Sequence, residues 1–340
     1  MTDNAINTLF YPFETERLEW PTADNLCAFI NAKAHPELHK LPESTLFIQP
    51  FKPYAINLPS PFSTIEEAMP STKDQSHDIA LIALPKNQIE SEYYIAKALS
   101  ALKENATLIC AADNKAGGSR IAKTLAKFNL KNINQESKNK ARVIWCTKEN
   151  IDQEYLSKAI ENGSPQTIGT THTQAGIYGW DKVDRGSALL MEHVPKELKG
   201  KGADFGCGYG YLSLKALEKA PKIKFITCLD ADARALKAAE QNLSAHKDKT
   251  AFIWSDLTHS PTLKNLDFIL MNPPFHEGKK TDSSIGINFI KSAHAALGKY
   301  GELYMVANNQ LAYEPALNDI FFKVDKLFEG QGFKVYKALK

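Results

Sequence analysis

The second half of this chain predicts an α/β domain built on a seven-stranded, mostly parallel, doubly wound sheet ending in an antiparallel hairpin. Three observations predict it. Short apolar runs alternate with stretches whose apolar residues recur three and four apart. A glycine-rich turn, DFGCGYG, follows the first run, and the last two runs are separated only by Glu329-Gly330-Gln331-Gly332.

The expected strands are residues 203–205, 225–229, 251–254, 267–271, 302–307, 324–328 and 333–338. Between the early ones lie YLSLKALEKA and ADARALKAAEQNLSAH, amphipathic at helical spacing. Strands alternating with helices imply right-handed crossovers and a parallel sheet covered on both faces. The short last connection permits a hairpin and no crossover, so the final strand should run antiparallel.

The first half repeats the rhythm more weakly. Strands are expected at residues 46–49, 79–84, 107–111 and 143–146, and helices at 91–103 and 119–128. This second α/β domain has no glycine fingerprint after a strand, Gly117-Gly118 being the nearest thing, and reads as a substrate-binding or scaffolding domain. Residues 150–175 are polar and rich in turn formers, which suits a linker, so the domains are expected at 1–163 and 164–340.

Composition sets wider bounds. Lys plus Arg number 41 and Asp plus Glu 39, a net +2 that neither demands nor excludes a nucleic-acid partner. A local excess of Arg120, Lys123, Lys127, Lys131, Lys138, Lys140 and Arg142 against Glu136 reads either as a phosphate-contacting stripe or as a solvated helix face plus a polar loop. The five dispersed cysteines lack metal-ligand spacing and suggest reduced thiols without structural zinc. No apolar run suits a membrane span, and the N-terminus lacks a basic region followed by an apolar one, so a cytoplasmic protein is expected.

The glycine loop Asp204-Phe205-Gly206-Cys207-Gly208-Tyr209-Gly210 carries the first chemical signal. Glycines at alternate positions accept positive φ and let a ligand lie on bare backbone, at the edge where doubly wound sheets bind ligands. Turns and tight helix packing also want glycine. Asp230 ends the next strand, where a carboxylate either accepts the ribose hydroxyls of an adenosine-containing cofactor or caps a helix, a role that suits Asp232 better. Asp256 ends the third strand and is read in the same two ways, as an acceptor for an adenine amino group or as a cap.

Asn272-Pro273-Pro274-Phe275 follows the fourth strand and decides the chemistry. Two prolines fix the backbone and remove donors, so the Asn272 side chain and the Pro273 carbonyl present acceptors together. An exocyclic amine conjugated to a base is a poor nucleophile, and two acceptors taking its protons free its lone pair for attack on an activated methyl. Phe275 offers a face for stacking the base.

These elements in this order resemble the class I S-adenosylmethionine-dependent methyltransferases. The segments GIYGWDKVDRGSALLMEHV, NPPFHEGKKTD, VANNQLAYE and GFKVYKA are similar to the RsmC/RlmG-type bacterial ribosomal RNA guanine-N2 methyltransferases. The similarity covers about residues 175–340, while HDIALIALPKNQIESE and ADNKAGGSR resemble that family's N-terminal domain, a degenerate copy of the methyltransferase fold. Two positions depart from the pattern: the family usually has Pro where Ala312 stands and Gly where Phe322 aligns.

The resemblance implies S-adenosylmethionine as donor and guanine N2 of rRNA, with small-subunit rRNA the first choice, as acceptor. It implies that Asp204, Gly206, Gly208 and Gly210 contact the cofactor, Asp230 its ribose and Asp256 its adenine, with Asp184, Gly186 and Ser187 bordering the methionine end. Asn272 and Pro273 would hold the amine and Phe275 the base. His276, Lys279 and Lys280 would meet RNA backbone, His276 being a weaker candidate for a general base. The partner expected is rRNA or an assembling subunit, with no metal, no membrane and a monomeric protein. Adenine-N6 and protein-glutamine methylation use the same loop, and a noncatalytic RNA-binding assembly factor or a hydride-transferring Rossmann enzyme are the readings from other classes.

Overall fold

The computed structural model describes residues 3–64, 75–259, 263–274 and 283–340. The chain divides into two compact units, Met1–Ser164 and Pro165–Lys340.

The second unit is the expected sheet. Its strands are β10 (Gly200–Phe205), β11 (Ile223–Asp230), β12 (Thr250–Trp254), β13 (Leu266–Met271), β14 (Leu297–Asn308), β15 (Lys323–Gly330) and β16 (Phe333–Leu339). They lie in the order β12-β11-β10-β13-β14-β16-β15. Strands β10 to β14 pair in parallel, and β16 runs antiparallel to both β14 and β15. Both sheet faces are buried, as side-chain alternation requires. Along β13, Phe268 and Leu270 enter one core while Ile269 and Met271 enter the other.

Helix starts follow the acidic residues that the sequence places ahead of each periodic stretch. Asp184 caps Arg185–His193 by accepting from Ser187 N, and Asp232 caps Ala233–Asn242 by accepting from Arg234 N. The helix Tyr211–Lys219 starts instead at Gly210, in left-handed backbone.

The first unit holds a second sheet of seven strands. These are β1 (Cys27–Ile30), β2 (Leu46–Ile48), β3 (Phe62–Ser63), β4 (His77–Ala83), β5 (Leu102–Asp113), β6 (Asn134–Lys138) and β7 (Ala141–Thr147), in the order β3-β2-β1-β4-β5-β7-β6. The expectation named four of these. It missed β1, an apolar run of only four residues, and the short β3 and polar β6. The expected helices lie at Gln88–Ala101 and Ile121–Lys127, the latter entered through a 3-10 turn, Gly118–Arg120.

Two other expectations are corrected. Residues 150–175 are no linker: Asp152 caps a helix, Gln153–Gly163, that buries Leu156 and Ala159, and β8 (Gln166–Ile168) pairs with β9 (Thr171–Thr173). The polar residues lie on the exposed face of that helix and masked its periodicity. The basic stripe is not a helix face plus a loop, because Lys138 lies on β6 and Arg142 on β7 of a hairpin. Lys127 pairs with Glu92 at 2.7 Å, and the Lys138 ammonium sits 3.8 Å from the Tyr11 ring centroid, so both are partly committed within the unit.

All five cysteines are buried and free. Among the described residues no helix is long and apolar enough to cross a membrane, and no cluster of His, Cys, Asp and Glu suits a metal ion.

Candidate functional site

Register brings the site together. Phe205, the last residue of β10, pairs with Leu229 of β11 and with Met271 of β13. Gly206, Asp230 and Asn272 therefore stand side by side at the carboxyl edge of the three central strands. Here the strand order reverses, since β11 and β13 flank β10, and doubly wound sheets bind ligands at that point. A pocket opens there, lined by Tyr178, Asp184, Ser187, Gly206, Gly208 and Asn272 among others.

The glycine loop shapes its floor. Gly208 has φ +53°, and a Cβ added to it would meet nothing within 4 Å, so a side chain there would project into open space. Asp230 braces the loop: its Oδ2 accepts from Gly208 N at 2.7 Å and its Oδ1 from Asp232 N at 2.8 Å. Burial raises the Asp230 carboxyl to about 6, with the Asp232 charge adding and the backbone amides of Asp232, Gly208 and Ala231 opposing. Asn242 holds the loop from behind, donating to Tyr209 O at 2.8 Å and exchanging hydrogen bonds with the backbone of His172. Nothing in the sequence singled out Asn242, one polar residue at the end of an amphipathic helix.

Asn272 is held from one side only. Its Nδ2 donates to Asp184 Oδ2 and to Ser187 Oγ, each at 2.8 Å. A carboxylate only accepts, so the amide nitrogen must face it and the amide oxygen faces away. That oxygen, Oδ1, is buried and has no hydrogen-bond partner among the described residues. A buried acceptor left unpaired costs about 1–3 kcal/mol, and a ligand donor would recover it.

Several residues stand elsewhere than expected. Asp204 is wholly buried on a sheet face, its Oδ2 accepting from Ser213 N at 3.1 Å and Ser213 Oγ at 2.8 Å. Burial raises its carboxyl to about 7, and it supports the helix Tyr211–Lys219 rather than lining the pocket. Gly210 is a packing glycine: a Cβ there would press on Ala239 and Leu243 at 3.2 Å. Gly186 likewise packs against Phe333, which a Cβ would meet at 3.0 Å. Asp184 and Ser187 do line the pocket, but their polar atoms are turned to Asn272. Asp256 closes its own turn, Oδ1 accepting from Thr258 N and Oγ1 and Oδ2 lying 3.0 Å from His259 Nδ1. Asp256 caps no helix among the described residues; its carboxylate is engaged within the turn that follows β12. Pro273 is buried beside Asn272, while Phe275, His276, Lys279 and Lys280 lie outside the described residues.

The sequence compared with known proteins gives the same picture. The Methyltransferase small domain family matches residues 169–337, and the Methyltransferase small domain N-terminal family matches residues 38–159. The ribosomal RNA small subunit methyltransferase C of Shewanella halifaxensis is 29% identical over 272 residues, covering 78% of this chain and 79% of that protein. Its counterpart in Aliivibrio fischeri is 30% identical over 274 residues, covering 79% of each. This chain belongs to the ribosomal RNA small subunit methyltransferase C family.

The fold extends the likeness over both units. The solved T. Thermophilus 16S rRNA N2 G1207 methyltransferase (RsmC), determined in complex with AdoMet and guanosine, superposes with a TM-score of 0.79 at 22% identity. That match covers 99% of this chain and 92% of the other. In this member of the methyltransferase C family both units carry the Rossmann-like methyltransferase sheet, and the glycine loop is confined to the second.

Proposed function

We propose that this chain methylates the exocyclic N2 amine of a guanine in small-subunit rRNA, with S-adenosylmethionine as the donor. One observation carries the reading: a buried amide oxygen on Asn272, without a hydrogen-bond partner among the described residues and fixed in orientation, beside a pocket floored by bare glycine backbone. Family membership and the names of the relatives support the rRNA assignment.

The residues present fit the cofactor. The backbone at Gly208 is open to a ligand, and Asp230, anchored by the amides of Gly208, Ala231 and Asp232, keeps lone pairs for ribose hydroxyls. When bound, S-adenosylmethionine supplies an electrophilic methyl group. The protein's part concerns the amine. Asn272 Oδ1 accepts a hydrogen bond from one of its protons and the Pro273 carbonyl from the other, which weakens delocalisation of the nitrogen lone pair into the ring. Both acceptors are preorganised, so no reorganisation is required as charge develops. The guanine must be unpaired or turned out of its helix to reach Asn272. The first unit, lacking the glycine loop, is assigned to substrate binding or scaffolding.

Nucleoside mass analysis of rRNA from a deletion strain, with and without the restored gene, tests the reading. One N2-methylguanosine in 16S rRNA should disappear and return. Loss of N6-methyladenosine instead, or no change in any base, would overturn it.

A further inference from the structure

We infer that Asp184 is a positioning residue for Asn272, setting which face of the Asn272 amide the substrate meets. The inference rests on the proposed reading of Asn272 as the acceptor for the amine. Asp184 accepts three donors: Ser187 N and Asn272 Nδ2 at Oδ2, and the Tyr178 hydroxyl at Oδ1, each at 2.8 Å. One carboxylate thus caps the helix Arg185–His193 and clamps the side chain that follows β13.

The clamp matters because the terminal torsion of an asparagine is broad and roughly two-fold. Turned over, Asn272 would present its NH2 to the substrate amine, donor against donor. With Asp184 in place that orientation would set an amide oxygen against a carboxylate, so it is excluded. Ser187 Oγ fixes the second amide proton, and Tyr178, whose side chain is otherwise 62% exposed at the pocket, ties the carboxylate to the pocket wall.

Asp184→Ser separates the two roles, because serine caps a helix about as well as aspartate does but its shorter side chain does not reach Asn272. Asn272 is then held by Ser187 Oγ alone, a hydroxyl that can donate or accept and so permits either amide orientation. The variant should keep its melting temperature, bind S-adenosylmethionine within about threefold and keep its KM for rRNA, while single-turnover methylation falls at least roughly 30-fold. Asp184→Asn, whose amide oxygen can take the place of Oδ2 toward both Ser187 N and Asn272 Nδ2, should recover at least roughly tenfold over Asp184→Ser.

The side-chain amide resonances of Asn272, assigned by their loss in Asn272→Ala, give a readout free of catalysis. They should exchange slowly with water in the wild type and quickly in Asp184→Ser. Turnover of Asp184→Ser within threefold of wild type, an Asp184→Asn variant no better than Asp184→Ser, or unchanged amide exchange in Asp184→Ser would overturn the inference. A wild-type protein that methylates no rRNA would defeat the proposed function instead, and amide exchange would then decide the positioning role alone.

Discussion

The two units build one strand order twice, and they use the carboxyl edge of the sheet in opposite ways. Register makes the comparison residue by residue. Ile30, the last residue of β1, pairs with Ile48 and Ile82, as Phe205 pairs with Leu229 and Met271. Asn31, Gln49 and Ala83 therefore stand where Gly206, Asp230 and Asn272 stand. Asn31 takes the left-handed backbone that Gly206 takes, φ 54° against 74°. Its side chain then closes the edge, Nδ2 donating to Ala83 O at 2.7 Å while Oδ1 accepts from Gln49 Nε2 at 3.2 Å. Gln49 also donates to Ala32 O at 2.7 Å and accepts from Phe51 N at 2.9 Å. In the second unit the corresponding glycine has no side chain to close with. The strand order supplies an edge; the absence of side chains at Gly206 and Gly208 turns it into a pocket.

Converting the second unit toward the first should break function in graded steps. Asn272→Ala, which copies Ala83, carries the largest effect. Methyl transfer should fall by about 10²–10³ or more while S-adenosylmethionine binding stays near normal, since only the amine loses its acceptor. Single-turnover rates alongside calorimetry measure both, and retained turnover would sink the role given to Oδ1. Gly206→Asn, which copies Asn31, should act on binding instead. Asparagine tolerates the left-handed backbone, and a Cβ at 206 meets Phe289 at an ordinary 3.6 Å, so the fold should persist. Affinity for S-adenosylmethionine should drop roughly 30-fold as the side chain enters the pocket. Unaltered affinity would mean that the ligand does not approach this loop.

How much of this the sequence revealed follows the same division. The second sheet was legible because its strands are apolar runs between amphipathic helices, and the position of Asn272 because NPPF sits directly after one of them. The first sheet was half legible: β1 is an apolar run of only four residues, and the helix Gln153–Gly163 carries enough polar residues to pass for a linker. Roles were less legible than places. Asp204 belongs to the loop motif yet is buried beneath a helix, because the side a strand residue faces is set by its parity, whereas Asp184, outside the motif, clamps Asn272 from a helix start. Asn242 acts through the backbone of residues 33 and 70 positions away, which leaves no local pattern, and Tyr178 through a side-chain contact with Asp184 that matches no helical or strand spacing.

The reverse change tests the closed edge. Gln49→Ala removes its bonds to Asn31, Ala32 and Phe51 and leaves the Phe51 amide without that acceptor. The first unit should lose about 1–3 kcal/mol, read as an earlier denaturant midpoint for its unfolding. An unmoved midpoint would show that the stitch is ornamental and that the edge is closed by packing alone.

The smallest effect concerns a position where one sheet buries carbon and the other a carboxyl. Phe29 pairs with Phe47 as Asp204 pairs with Cys228, so the two occupy equivalent places, and both are wholly buried. Burial lifts the Asp204 carboxyl from 3.8 to about 7, the nearby charge of Asp230 adding to it, and its Oδ1 has no hydrogen-bond partner among the described residues. Below pH 3.8 the folded and unfolded forms are both protonated there. Between 3.8 and about 7 the folded form retains a proton that the unfolded form has released, so stability falls as pH rises and reaches its floor above about 7. Asp204→Asn keeps an acceptor for Ser213 and removes the titration. The melting temperature of the variant relative to wild type should therefore climb by several degrees from about pH 4 to about pH 8, an effect for which the first unit has no counterpart at Phe29. A difference that stays flat across that range would mean that water reaches Asp204 and that its carboxyl titrates as an ordinary one.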